Sequence, residues 1–358
     1  MSFHEILIWV MAFFALLGAA DRIFGNRWGL GQEFENGILA MGSLALAMVG
    51  IVTLAPVLAA VLKPVVVPFY RLLGADPAMF AGSILACDMG GGALALEMTE
   101  DERAAMLGGV ITGSMLGATI VFTIPVAMGI LEEKDRGVLA KGILCGIVTI
   151  PLGVLFGGLA AGFPFGMVLR NVVPIVLLAA LIALGLWRAE NAMIRGFELF
   201  GKIVVGIVTI GLAAAIVEAL TGYAVIPGMA PISEGFATVG TIAIVLAGAF
   251  PLVFVLTKVL RRPLMAVGRL LGINDAAAAG LIASLANSIA TFGLVKEMNQ
   301  RGKVINIAFA VSAAFVFGDH LGFTAGFAPE MIGPMIVGKL VGGASSVGVA
   351  MWLTRRDE

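Results

Sequence analysis

Four small groups of polar residues interrupt stretches of this chain that are otherwise apolar, and they are where chemistry can be done. Asp88 lies in Ala86-Cys87-Asp88-Met89-Gly90-Gly91-Gly92. Consecutive glycines hold a regular helix poorly and let the backbone turn with its own groups exposed, so Gly90 and Gly91 would frame a carboxylate able to meet a cation. The same carboxylate could instead cap a following half-helix. Asn287 and Ser288 occupy a comparable position two hundred residues later. They offer neutral donors and acceptors for a hydroxyl, oxygens for a sodium ion, or further helix caps. Asp319 and His320, flanked by Gly318 and Gly322, place an acid and an imidazole side by side; the imidazole could relay a proton or stay neutral and accept a hydrogen bond. Ser114 and Thr119, in Gly113-Ser114-Met115-Leu116-Gly117-Ala118-Thr119, form the uncharged counterpart, expected to be similarly interrupted. Glu97, Glu218 and Glu297 stand near segment ends and read as mainly structural, Glu218 also as an outer attractor for a cation.

The medium around these residues follows from composition. Sixty per cent of the chain is hydrophobic and 13% is charged, and the mean hydropathy is +1.07. Soluble domains carry about 25% charged residues, so this is a polytopic membrane protein. A charge at the bilayer centre costs about 2.5–3.5 kcal/mol on insertion scales, so each deep polar residue needs a reason. On this reading the deep groups are two acids and one histidine, with no deep Lys or Arg. Such a site favours a small cation, or a neutral polar solute carried with a proton or sodium ion. A net charge of −1 with scattered basic residues gives no basis for nucleic-acid binding. Cys87 and Cys145 suggest no disulfide framework, and two histidines suggest no zinc-type ligand set, so no metal or cofactor is expected. The first apolar run begins almost at once, without a basic leader, and reads as mature sequence rather than a cleaved signal.

Eleven apolar runs of about membrane length, all helical in character, must position the site. They cover roughly 3–20, 37–62, 78–96, 104–131, 137–165, 168–187, 202–220, 235–256, 276–295, 304–327 and 331–353. Lys63–Leu73 and Lys258–Leu271 mix basic residues, prolines and large apolar residues and read as short interfacial helices. An internal repeat relates the halves. Pro56, Lys63 and Pro68 recur as Pro251, Lys258 and Pro263, Arg71-Leu72-Leu73-Gly74 as Arg269-Leu270-Leu271-Gly272, and Glu97-Met98 as Glu297-Met298. This pairs segments one to five with seven to eleven and divides the chain into a first repeat (1–165), a linking helix (166–196) and a second repeat (197–358).

Parity then decides orientation. With eleven crossings the loops hold nine Lys and Arg on one side and thirteen on the other, which is no signal. If segments three and nine are re-entrant hairpins the division becomes seventeen against five. The minority is Lys63, Arg71, Arg103, Arg170 and Lys339. By the positive-inside rule the richer side is cytoplasmic. The expected fold is all-α: two inverted repeats, each of four spanning helices and one hairpin, with the N-terminus outside and the C-terminus in the cytoplasm.

The Cys-Asp-Met-Gly-Gly segment at 87–91 and the Gly-Asp-His-Leu-Gly-Phe segment at 318–323 resemble those of the ethanolamine-utilisation permease family, the EutH proteins, and the similarity runs along nearly the whole chain. The resemblance implies a protein of the bacterial cytoplasmic membrane that admits ethanolamine for breakdown by a cobalamin-dependent lyase. It assigns no binding residues. Ethanolamine suits the site on independent grounds: its amine is mostly protonated at neutral pH, so Asp88 and Asp319 could hold the ammonium while Asn287, Ser288 or His320 hold the hydroxyl. The rivals are a sodium- or proton-coupled carrier of another small polar solute and, more remotely, a membrane enzyme or sensor. Expected partners are the solute, the lipid bilayer and, in a homo-oligomer, further copies of the chain.

Overall fold

The computed structural model describes residues 2–356; Met1, Asp357 and Glu358, and the side chains of Leu260, Arg261, Leu264 and Arg356, lie outside the described residues. Every regular element among those residues is helical. α1 (Phe3–Ile23) starts in a capping box, in which Ser2 accepts from the Glu5 amide and the Glu5 carboxylate accepts from the Ser2 amide. The turn into α2 (Leu30–Leu72) is held by the buried Asp21, whose carboxylate oxygens accept from Trp28 N at 3.0 Å and Gly31 N at 2.9 Å. After the short α3 (Ala78–Ile84) and α4 (Gly91–Met98), α5 (Glu102–Ala105) runs through wide π-helical turns at Met106–Gly117 and Thr119–Thr123 into α6 (Ile124–Ile130). α7 (Arg136–Ile147) and α8 (Ile150–Ala160) complete the first half.

α9 (Phe165–Thr221) is continuous in its helical turns except at Ala189, where the backbone leaves helical geometry (φ −146°, ψ 49°). A Cβ on Gly185 would lie 2.6 Å from Met193 Sδ. Eight residues of straight helix span about 12 Å, so the two parts fold sharply together at Ala189. The second half comprises α10 (Ile232–Leu270), α11 (Asp275–Ala286), α12 (Ser288–Leu294), α13 (Gln300–Ala313), α14 (Asp319–Phe327) and α15 (Ile332–Leu353). Seven helical stretches among the described residues are long and apolar enough to cross a membrane, as the hydropathy of the chain requires of a multi-pass protein.

Two segments fold back on themselves. The ends of the α3–α4 pair are joined by Thr99 Oγ1 donating to Asp76 Oδ2 at 2.8 Å. The ends of the α11–α12 pair are joined in the same way, by Asn274 Nδ2 donating to the Glu297 carbonyl at 2.8 Å. Partway along, Thr291 Oγ1 donates to the Gly280 carbonyl at 2.9 Å, a bond between residues that a straight helix would separate by about 16 Å.

Small residues set the packing between halves, as they do where lipid supplies no hydrophobic drive. α2 and α10 run antiparallel: Gly37 abuts Ala247, and a Cβ on Gly235 would lie 2.9 Å from Val49 Cγ1. α8 and α15 are antiparallel too: a Cβ on Gly153 would lie 2.7 Å from the Gly338 carbonyl oxygen, and one on Gly157 3.1 Å from that of Pro334. Two polar contacts tie distant connections: Asp76 N donates to Asn171 Oδ1 at 2.7 Å, and the buried Lys303 pairs with the buried Asp135 at 2.6 Å.

Two expectations are corrected here. Lys63–Leu73 and Lys258–Leu271 are not separate interfacial helices but continuations of α2 and α10. A proline inside a helix removes one amide donor and bends the axis, and Pro56, Pro64, Pro68, Pro251 and Pro263 do so without ending either helix. At 43 residues α2 is about 65 Å long, roughly twice the hydrocarbon thickness, so its last turns reach beyond it. The second correction is at Gly113–Thr119, which is widened into π-helix rather than broken. Gly82 presses on the Gly108 carbonyl and Gly117 on the Leu85 carbonyl, and the wide turns accommodate that approach.

Candidate functional site

The chain breaks between α13 and α14, and the break is built into the second folded-back pair. Residues 314–318 leave the helix, Phe315 with φ 64°. Their amides turn to α11, where Phe315 N donates to the Ser284 carbonyl at 3.0 Å and Phe317 N to the Leu285 carbonyl at 2.9 Å. Those carbonyls belong to the last turn of α11 and have no partner within their own helix, so each irregular stretch satisfies the other. Gly318 (φ −114°, ψ −130°) sits directly against the Ala286 carbonyl.

This junction presents Asp319 and His320 to a cavity of about 320 Å³. The opposite wall is the turn between α3 and α4, with Ala86, Asp88 and Met89. Asn287 and Ile289 come from the α11–α12 turn, Phe122 from the π-helical stretch, Phe315 from the break, and Ser43 and Ala47 from α2. Both folded-back tips and the broken helix therefore meet in one space. His320 is held in a buried chain of polar contacts. Lys339 Nζ donates to the Ser114 carbonyl and lies 3.0 Å from His320 Nδ1, while His320 Nε2 lies 3.8 Å from Asp88 Oδ1. An ammonium has only donors, so Nδ1 accepts and the imidazole proton sits on Nε2, facing Asp88. Phe315 packs on the imidazole with ring centroids 5.2 Å apart and Phe122 on Phe315 at 5.4 Å, which fixes the ring plane.

Of the residues singled out in the sequence, Asp88, Asn287, Asp319 and His320 line this cavity. Asn287 also caps α12, its Oδ1 accepting from Ile289 N at 2.7 Å, which is one of the roles open to it in the sequence. Gly90, with φ 89°, forms the turn beneath Asp88 and packs on Ile51; Gly91 donates to the Ala86 carbonyl at 2.9 Å. The other three stand behind the wall. Ser288 is buried in α12, Ser114 offers its carbonyl to Lys339, and Thr119 Oγ1 bridges to the Val311 carbonyl at 2.9 Å.

Lys339 overturns the expectation of no deep basic residue. It had been counted with the outer loops, yet it is 1% exposed inside α15. Its position eight residues into the apolar run 331–353 was the available signal, and without it the loop division becomes seventeen against four. The structure also gathers Cys87, Asp88 and His320 with their ligating atoms within 4.8 Å of one another. A metal-binding imidazole ordinarily donates its second nitrogen to a carbonyl or carboxylate, whereas here that nitrogen accepts from an ammonium and the nitrogen facing Asp88 keeps its proton. In that tautomer no imidazole lone pair faces Cys87 and Asp88. A larger cleft of about 660 Å³ mixes Lys63, Arg71 and Arg170 with Asp76, Glu100 and Asp101, mostly exposed at helix ends. There the Arg103 guanidinium holds the Asp101 carboxyl below the usual range, as in a surface pair.

Comparison with known proteins completes the picture. No solved structure matches the chain. Among curated proteins, a probable ethanolamine permease EutH of Listeria monocytogenes is 61% identical over 356 residues, covering 99% of this chain and 95% of that one. The uncharacterized protein YxeR of Bacillus subtilis is 53% identical over 354 residues, covering 99% and 96%. A probable ethanolamine permease EutH of Salmonella typhimurium is 50% identical over 396 residues, covering 100% and 97%. The family model described as "Ethanolamine utilisation protein, EutH" matches residues 3–353, and the chain belongs to that family.

Proposed function

We propose that this protein is a permease of the bacterial cytoplasmic membrane that takes up ethanolamine as a small ammonium cation by alternating access. One observation carries the reading: two acids, Asp88 and Asp319, and a hydrogen-bonding imidazole and amide, His320 and Asn287, converge on one cavity at the meeting point of two folded-back segments. The acids suit an ammonium, and the neutral donors and acceptors suit a hydroxyl two carbons away. The names of the Listeria and Salmonella relatives point to the same solute. An enzyme is disfavoured because His320, accepting at Nδ1 and protonated at Nε2, keeps no basic lone pair to activate Cys87 or a water.

The two halves are read as inverted repeats. α2 and α10, and α8 and α15, are equivalent in the sequence repeat, and each pair packs antiparallel, the arrangement that inversion requires and direct duplication forbids. The short ties between Asp76 and Asn171 and between Asp135 and Lys303 support the same topology, since eleven crossings would put the members of each pair on opposite sides of the bilayer. Rocking of one half against the other would expose the cavity alternately to each side.

Ethanolamine uptake by the purified protein in liposomes, measured across pH with and without a sodium gradient, tests the function. A rate that follows only the ethanolamine gradient is expected; dependence on sodium would favour the coupled-carrier reading, and no uptake would remove ethanolamine as the substrate. For the topology, reporter tags are expected to place the N-terminus outside and the C-terminus in the cytoplasm. Opposite termini fit nine and eleven crossings alike, so tags between α6 and α7 and between α12 and α13 decide: the same side is expected, and opposite sides would remove the two re-entrant segments.

A further inference from the structure

Lys339 is a buried amine behind the cavity wall. It is 1% exposed, its ammonium is bound to the Ser114 carbonyl and to His320 Nδ1, and it does not itself line the cavity. The ionisable groups around the cavity are then few: Asp88 and Cys87 on the α3–α4 turn, Asp319 and His320 on α14, and Lys339 on α15. α2 and the α11–α12 turn contribute only neutral groups, Ser43 and Asn287. Counting the thiol and imidazole as neutral, the two carboxyls as carboxylates and the Lys339 amine as an ammonium, the net charge is −1.

We propose that Lys339 sets the charge selectivity of the site, balancing one of the two carboxylates so that the cavity accepts one monovalent ammonium and rejects a dication of the same size. The inference rests on the transport reading above and adds the specificity of that site. Inside a low-dielectric wall a single charge acts strongly over several ångströms, so Lys339 need not touch the solute to count. The link through His320 gives the same residue a positioning role. By occupying Nδ1 the ammonium keeps the imidazole proton on Nε2, pointing toward Asp88 and the solute.

Ethylenediamine tests the count, because it has the same number of non-hydrogen atoms as ethanolamine and, below neutral pH, two ammonium groups. In liposomes carrying the native protein, ethylenediamine is expected to compete with labelled ethanolamine at least about tenfold less well than unlabelled ethanolamine does. Equal competition would overturn the inference while leaving transport intact, whereas no ethanolamine uptake at all would remove the transport reading itself. In Lys339→Met the discrimination should shrink by about tenfold or reverse. Lys339→Arg, which keeps the charge, should preserve it. A monodisperse Lys339→Met protein with native discrimination, or loss of discrimination in Lys339→Arg equal to that in Lys339→Met, would assign Lys339 a purely structural role. Should Lys339→Met fail to fold, the native competition ratio measured below and above neutral pH decides the charge count, because ethylenediamine loses its second charge as the pH rises while still lacking the hydroxyl; a ratio that does not change would overturn the inference.

Discussion

Asp88→Asn and Asp319→Asn are each expected to abolish ethanolamine uptake while leaving a membrane-inserted, monodisperse protein. Asn keeps the size of the side chain and one acceptor oxygen but removes the charge. Losing one charged partner of a desolvated pair costs about 2–5 kcal/mol, so uptake should fall at least about 30-fold. The effect should be largest at Asp88, the carboxylate whose Oδ1 lies 3.8 Å from His320 Nε2 as well as facing the cavity. The surroundings favour a folded variant, because Asp88 sits on a turn whose shape is set by Gly90 (φ 89°) and the Gly91 amide rather than by the carboxylate. Full uptake in both variants would remove the carboxylate model.

Gly318→Ala is expected to damage stability and uptake together. A methyl group there would collide with the Ala286 carbonyl, and that carbonyl has little freedom to yield. Its neighbours Ser284 and Leu285 are bound to the amides of Phe315 and Phe317, so the α11–α12 turn and the broken helix move only as a unit. Overpacking of this kind costs about 1–3 kcal/mol, read as a lower melting temperature in detergent. Because the displaced residues carry Asn287 on one side and Asp319 on the other, uptake should drop with stability. Gly293→Ala, on the same folded-back pair but with nothing within 4 Å of the added methyl, should change neither measurement. Equal behaviour of the two variants would mean that the junction does not hold the site.

Much of this arrangement was legible before any coordinates. The Gly-rich run after Asp88 and the Gly318–Gly322 frame around Asp319-His320 announced irregular backbone at membrane depth, since glycine holds a helix poorly and unsatisfied backbone cannot face lipid. What was misplaced had a common cause. Gly113–Thr119 looked broken because its glycines were read as breakers, whereas they are landing surfaces for the α3–α4 pair, and close approach widens a helix without opening it. Ser114 and Thr119 are polar and deep, and their hydroxyls donate to the Ile111 carbonyl of the same helical stretch and to the Val311 carbonyl of α13, a pairing that spacing along the chain does not reveal. Lys339 counts with the outer side in the division of Lys and Arg, and a lone basic residue in an apolar run is costly unless something receives it. Its receivers, the Ser114 carbonyl and His320, are separated from it by 225 and 19 residues.

The sequence by itself determined that the chain is a helical, multi-pass membrane protein, that a residue pattern recurs in its two halves, and that two acids stand among its deep polar groups. These properties follow from residue type and spacing along the chain: hydropathy, glycine content, the repeat and the division of Lys and Arg. Only the tertiary structure decided which deep polar groups face the cavity and which serve packing, and that the acids share their site with a buried ammonium. A side chain's solvent and partners are fixed by neighbours distant in sequence, and in a low-dielectric interior those neighbours decide what each charge means.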